Sequence, residues 1–169
     1  TNMLWIKTFF GILFQTLLLG IFLYLPALTL NWPDALLFLT IHFLITILAS
    51  AYLLVVKPAS IEARMNYDSK TQPKEDRLAT VLMLSAIVVG LSLAPIDIFH
   101  LNLSSNFEGN IKNIGLAIYI IGMLFVMASM NANEFAETTV NIQEERGQKV
   151  IDTGIYSKVR HPMYTGFIF

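Results

Sequence analysis

The chain has 169 residues, of which 55% are hydrophobic and 14% are charged, and its formal net charge is −1. A soluble domain carries about 25% charged residues, so this deficit predicts an integral membrane protein, as does the mean hydropathy of +0.62. The absence of cysteine excludes disulfides, thiol catalysis and cysteine-ligated metal sites. His42, His100 and His161 are too far apart in sequence for metal-ligand spacing, and no basic patch indicates a nucleic-acid partner.

Long apolar runs, each about the 20 residues that a membrane-spanning helix requires, follow one another along the chain. A buried helix of a soluble core is the alternative for any single run, but four such runs in so short a chain favour membrane spans. The first run is too long for a signal peptide. The predicted spans are residues 4–30, 35–56, 78–96 and 111–130, with the start of a fifth from 162 onward. We therefore expect an all-α fold, a polytopic transmembrane helical bundle that forms one domain over residues 1–169.

Local sequence marks the ends of the second and third spans. Pro33 suits the first turn of a helix, and Asp34 favours the positive end of the helix dipole. Lys57-Pro58 closes this second span. The third span is predicted to end near Pro95 and Asp97.

The distribution of lysine and arginine predicts the orientation in the membrane. Of the eleven basic residues, all but Lys112 lie near the N-terminus, in residues 57–77 or in residues 131–160. Because basic residues concentrate on the cytoplasmic side, these three regions are predicted to be cytoplasmic. In a bacterium the membrane would be the inner membrane.

The most distinctive polar sequence lies in residues 150–169. Pro162 suits the first position of a helix, which places His161 at or near the N-cap. The free backbone N–H groups of that first turn would form an anion site. Tyr164 follows His161 by three residues, so both side chains can lie on one side of the turn.

The residues before this helix predict a turn and an extended strip. Gly154 follows Asp152-Thr153 and fits a tight turn with positive φ, which would bring Tyr156 back towards the helix start. Lys149-Val150-Ile151 is extended in character and could offer backbone hydrogen bonds to a flat heterocycle. An aromatic ring near a sulfonium would gain about 0.5–2 kcal/mol. Together these features suit a ligand with a carboxylate, a cation and a purine.

This segment resembles the isoprenylcysteine carboxyl methyltransferase family of membrane enzymes. The most specific part is Val159-Arg-His-Pro-Met-Tyr-Thr-Gly166, preceded by Gly154-Ile-Tyr156. Upstream, Asn131–Phe135, Val140–Gln143 and Gln148–Ile151 follow the family's order. Lys57-Pro58, Glu62–Arg64 and Glu75–Arg77 resemble the loop of its prokaryotic members.

The resemblance implies an enzyme that uses S-adenosylmethionine and binds it through a defined set of residues. These are Gln143, Gln148, Lys149, Val150, Ile151, Tyr156, His161, Pro162, Met163 and Tyr164. No residue is assigned a catalytic role, because a carboxylate acceptor is ionised at pH 7 and needs no general base. The family also uses a downstream element with an arginine and acidic residues. The sequence stops before that element, so it looks truncated relative to the family.

The implied acceptor is lipophilic and lies in the bilayer, with a prenylated cysteine carboxylate as the first candidate. A phospholipid N-methyltransferase with the same cofactor pocket is an alternative within enzymes. A membrane scaffold or sensor that retains part of the pocket without the reaction is a non-enzymatic alternative. The sequence predicts no particular oligomeric state.

Several residues that are not among the predicted cofactor ligands have two possible interpretations. His42 lies mid-span, where ionisable residues are functional by default, yet a neutral histidine bonded to a neighbouring helix is also compatible. Asn131, Asn133 and Glu134 either cap the fourth span or face a substrate entrance. Arg160 either belongs to the site or anchors the segment by pairing with Glu144 or Glu145.

Overall fold

A computed structural model of the chain describes residues 2–65, 74–104, 109–133 and 150–169. Within them the secondary structure is helical and contains no strand, so the predicted all-α fold is confirmed. A π-helical turn, Asp97–Leu101, continues α4, and a 3₁₀ turn, Gly154–Ser157, precedes α6. The α-helices are α1 (Asn2–Ala27), α2 (Pro33–Val56), α3 (Pro58–Met65), α4 (Lys74–Ile96), α5 (Asn110–Ala132) and α6 (Pro162–Ile168).

Four stretches of helix are long and apolar enough to cross a membrane, which confirms the four predicted spans. They are α1, α2, α5 and the continuous stretch Arg77–Leu101. Large apolar side chains lie on their outer surfaces, such as Leu48 with 69% and Val55 with 72% of the side chain exposed. In water such a surface would promote association, whereas lipid tails are as apolar as leucine. The chain is therefore an integral membrane protein.

Two stretches of helix end a few residues from the approximate boundaries that the sequence predicts. The sequence predicts a first span over residues 4–30, whereas α1 ends at Ala27, because Leu28 takes a positive φ of 56°. The third span is predicted to stop at residue 96, but helical backbone continues to Leu101. Pro95 removes one N–H donor from α4, and the residues after it bond in the wider π pattern instead of stopping.

The chain contacts divide into two compact units. Residues 1–51 and 78–108 form the first unit, and residues 52–77 and 109–169 form the second. Membrane-spanning helix contributes to both units. The second unit contains α5, the 3₁₀ turn and α6, and thus every described residue of the motif.

In the first unit, aromatic rings join the α1–α2 connection to the end of the third span. The Trp32 ring packs edge-on against Phe99 at 5.2 Å and against Tyr24 at 6.2 Å. The Tyr24 hydroxyl donates to the Trp32 carbonyl at 3.0 Å. Nε2 of His100 lies 2.7 Å from the Pro26 carbonyl oxygen, so the ring nitrogen donates there. Aromatic and polar groups at helix ends are typical of a membrane–water interface.

A polar face runs along α2 inside the first unit. His42, Thr46 and Ser50 are spaced by four residues and are buried, so they share one side of the helix. The His42 ring stacks on Phe38 with centroids 6.4 Å apart. The structure therefore places His42 inside the protein and not against lipid, which both interpretations of this residue allow.

Thr46 supplies a test of the buried polar face. Its hydroxyl is buried and has no hydrogen-bond partner in the described part of the chain. An orphaned buried polar group costs about 1–3 kcal/mol, so Thr46→Val is expected to raise the melting temperature in detergent. Thr40→Val is the control, because the Thr40 hydroxyl already donates to the Leu36 carbonyl at 2.7 Å. A lower melting temperature for Thr46→Val than for the unmodified protein would contradict this assignment.

Candidate cofactor site

The site begins with the start of α6, which has the predicted form. Pro162 is the first residue of the helix and His161 is its N-cap. Proline costs nothing at that position, since its missing N–H would have no partner within the helix. The N–H and the hydroxyl of Thr165 both donate to the His161 carbonyl at 3.0 Å, which closes the first turn.

His161 and Tyr164 form an aromatic pair on the outside of this first turn. Their ring centroids are 5.9 Å apart with an interplanar angle of 30°, so the prediction that they share one side is confirmed. Phe167 extends the pair, 6.4 Å from Tyr164. His161 and Tyr164 are both exposed, with 46% of Tyr164 accessible. Both residues of the pair are therefore accessible to a ligand.

The 3₁₀ turn brings the preceding residues against the end of α5. Gly154 has the predicted positive φ, at 60°. The Tyr156 N–H donates to the Thr153 carbonyl at 3.1 Å, and the Ser157 hydroxyl donates to the Gly154 carbonyl at 2.7 Å. A Cβ added at Gly154 would lie 3.2 Å from the Cβ of Ala132. Both the backbone angle and the close approach thus favour glycine here.

The end of α5 anchors two other segments of the second unit. Asn133 is the C-cap residue of α5, and its amide nitrogen donates to the Tyr156 hydroxyl at 3.4 Å. The Lys57 ammonium donates to the carbonyl of Asn131 in the last turn of α5. Asn133 thus occupies the C-cap position of α5, which is compatible with either interpretation of this residue.

Replacing Lys57 by methionine tests the second of these anchors. The substitution keeps the apolar stem and removes the cation, and a cation at a helix C-terminus stabilises by about 0.3–1 kcal/mol. We expect faster hydrogen exchange in the last turn of α5, measured by mass spectrometry of peptides ending near residue 133. Lys7→Met on α1 is the control, because Lys7 belongs to the other unit. Unchanged exchange at the end of α5 would show that the contact contributes nothing.

The backbones of α5 and α6 touch at two glycines. A Cβ built on Gly122 would lie 2.7 Å from the Gly166 carbonyl oxygen, and one built on Gly166 would lie 2.5 Å from the Gly122 carbonyl oxygen. Real Cβ atoms do not approach so closely, so neither position can carry a side chain without a shift of the helices. Next to this contact, Phe125 and Phe169 pack edge-on at 6.0 Å. Small residues that allow backbones to meet are typical of helix pairs in membranes.

The predicted cofactor residues fall into three groups in the structure. Tyr156, His161 and Tyr164 present partly or fully exposed side chains, and Val150 is 93% exposed. Pro162 and Met163 are buried, so neither predicted residue presents an accessible surface to a ligand. The remaining predicted residues lie outside the described ones, except for the half-buried Ile151. Those outside are Gln143, Gln148 and Lys149, together with Glu134, Glu144 and Glu145.

Sequence reasoning missed the residues that hold the site in place. Gly122 and the fully buried Ser129 lie on the face of α5 that is buried. Lys57 reaches the end of α5 across 74 residues of sequence. Among these residues only Gly122 could have been noticed in the sequence, as a glycine inside an apolar span. That pattern does not identify the residue that Gly122 contacts.

Comparison with protein families matched the C-terminal part of the chain to one family. A model of the family described as phospholipid methyltransferase matches residues 111–169, which is roughly the C-terminal third of the chain. The matched region contains α5, the 3₁₀ turn and α6. Comparisons with curated proteins and with solved structures found no match. The C-terminal part of the chain is thus similar to a family of membrane methyltransferases, one related to the isoprenylcysteine carboxyl methyltransferases that the motif resembles.

Proposed function

We propose that this protein transfers a methyl group from S-adenosylmethionine to a lipophilic acceptor in the membrane. The observation that carries the proposal is the exposed His161–Tyr164 pair at the start of α6, within the stretch that matches the methyltransferase family. A methyltransferase needs a surface that binds a cationic, heterocyclic cofactor next to the bilayer. The pair lies on a short helix packed against a membrane-spanning helix, which suits that requirement.

The residues with exposed rings are the ones best suited to bind the cofactor. S-adenosylmethionine supplies an activated methyl group on a sulfonium when it is bound. Tyr164 and His161 offer ring faces to a cation or to a heterocycle, and Tyr156 is held by Asn133. The proposal includes Gln143, Gln148 and Lys149 on the resemblance of their sequence alone. No described side chain is assigned the role of a general base.

Two acceptor classes differ in what they demand of the protein. A prenylated cysteine presents a carboxylate, which is ionised at pH 7 and requires only positioning and desolvation. A phospholipid amine must lose a proton before it attacks, which requires a base or a high pH. The resemblance of the motif supports the carboxylate, and the family match is compatible with the phospholipid. The charge distribution places the motif on the cytoplasmic side in this proposal, where S-adenosylmethionine is available.

The binding half of the proposal is tested by calorimetric titration of S-adenosylhomocysteine into the purified protein. We expect saturable binding with one site per chain. The absence of detectable heat at millimolar ligand would refute a cofactor site.

The acceptor is identified by the chemistry of the methylated product. After incubation with methyl-labelled S-adenosylmethionine and both acceptors, the extracted lipid is treated with alkali. A carboxyl methyl ester releases its label as volatile methanol, whereas an N-methylated headgroup keeps it. Saturable binding without any labelled lipid would favour the scaffold or sensor alternative.

A further inference from the structure

Gly122 lies within a membrane span and is not one of the residues that the motif predicts for the cofactor site. It is eleven residues before Asn133, which corresponds to about 16 Å along α5 at 1.5 Å per residue. It has no side chain with which to bind a ligand. Its backbone nevertheless meets that of Gly166 in the motif helix, where a Cβ built on either glycine would collide with the carbonyl oxygen of the other.

Backbone atoms of both helices form this contact, and this determines how much shift between the helices it tolerates. Where side chains meet, a rotamer change can absorb a small shift between helices. Here the Gly122 carbonyl fills the space of a Cβ on Gly166, and the Gly166 carbonyl fills the space of a Cβ on Gly122. Val126 closes the same contact, with its Cγ2 2.8 Å from that position on Gly166. The two backbones therefore have one spacing and one register in which they fit.

That register determines where the aromatic pair lies. Gly166 follows Pro162 by four residues, about one helical turn, so α6 has no flexible segment between the contact and its N-terminus. His161 is the N-cap of the same helix and Tyr164 lies in its first turn. On the other side, α5 runs without interruption from Gly122 to Asn133, which holds Tyr156. A shift at the contact is thus transmitted to both sides of the site.

We infer that Gly122 is a positioning residue of the cofactor site, acting through its backbone contact with Gly166. The inference rests on the proposed function, since it concerns the site where S-adenosylmethionine would bind. A methyl group at residue 122 would displace α6 by a few tenths of an ångström or more. The His161–Tyr164 pair would then lie in the wrong place relative to Tyr156.

The test compares Gly122→Ala with Gly115→Ala on the same helix. A Cβ at Gly115 meets nothing within 4 Å, so the control adds the same methyl group without a collision. Titration of S-adenosylhomocysteine gives both the dissociation constant and the number of sites. We expect Gly122→Ala to weaken binding at least tenfold with an unchanged number of sites, and Gly115→Ala to bind like the unmodified protein. The double variant Gly122→Ala/Gly166→Ala should bind no more weakly than the worse single variant, since both act through one contact.

Three outcomes would overturn the inference. One is an unchanged dissociation constant for Gly122→Ala. Another is a reduced number of sites with an unchanged dissociation constant, which is expected if Gly122 is needed only for folding. Additive losses in the double variant would show that the two glycines act separately. If the unmodified protein binds no ligand at all, the proposed function fails, which is a different result from all three.

A second variant keeps the test decisive if Gly122→Ala cannot be recovered in folded form. Val126→Ala removes the side chain that closes the contact and introduces no collision. We expect folded protein with the full number of sites and a dissociation constant raised severalfold. An unchanged dissociation constant for Val126→Ala would then count against the positioning role.

Discussion

Gly166→Val is expected to detach α6 from α5 and to abolish cofactor binding. A Cβ at this position would lie 2.5 Å from the Gly122 carbonyl oxygen and 2.8 Å from Cγ2 of Val126. Valine adds two methyl groups beyond that Cβ, and the nearest obstacle is backbone that no rotamer change can move. Overpacking of a core costs about 1–3 kcal/mol or more, and we expect a loss at the upper end of this range.

The measurement is thermal unfolding of the purified protein in detergent, followed by titration with S-adenosylhomocysteine. Gly115→Val is the matched control, because it places the same side chain on α5 in open space. We expect the control to keep its melting temperature within a few degrees. A Gly166→Val protein that unfolds and binds like the unmodified one would show that the two helices do not pack as described.

Tyr164→Ala is expected to weaken S-adenosylmethionine binding more than S-adenosylhomocysteine binding. The two ligands differ by the methyl group and the positive charge, and only the sulfonium of S-adenosylmethionine gains cation–π attraction from an aromatic face. Such a contact is worth about 0.5–2 kcal/mol, which corresponds to about a 2- to 30-fold loss of affinity. Tyr164→Phe keeps the ring and should retain most of the affinity. His161→Ala should reduce the affinity for both ligands, because it removes the other half of the ring pair.

The control for this series is Tyr52→Ala, which removes an equally exposed tyrosine from α2. Its affinities should match those of the unmodified protein. Equal losses for the two ligands in Tyr164→Ala would place the ring against the adenosine or amino-acid part of the cofactor. No loss for either ligand would remove Tyr164 from the site.

Structural features that depend only on residues close together in the sequence could be predicted from it. The length of each apolar run gave the four spans, since a bilayer requires about 20 apolar residues regardless of the partner helices. Pro162 predicted the start of α6, and Gly154 predicted a turn with positive φ, because both residues restrict or free their own backbone. The helix ends near Leu28 and after Pro95 differ from the predicted ones because the prediction rested on hydropathy. A helix end depends on which backbone groups find partners, and hydropathy does not report this.

Features that join distant parts of the chain could not be predicted. The contact of Gly122 with Gly166 and that of Lys57 with Asn131 each require a particular pairing of helices. Neither residue type indicates its partner, since glycines and lysines occur throughout the chain. The motif therefore predicted the exposed residues of the candidate site. The contacts that hold those residues in place could be found only in the structure.

The central claim is that this protein moves a methyl group from S-adenosylmethionine to a lipid, and methyl transfer in proteoliposomes tests it most directly. The liposomes contain phosphatidylethanolamine and a prenylated cysteine, and methyl-labelled S-adenosylmethionine is added outside. We predict that label enters the lipid fraction in the presence of the protein and that Tyr164→Ala reduces the rate. Lipid label no higher than in protein-free liposomes, with either acceptor, would contradict the claim.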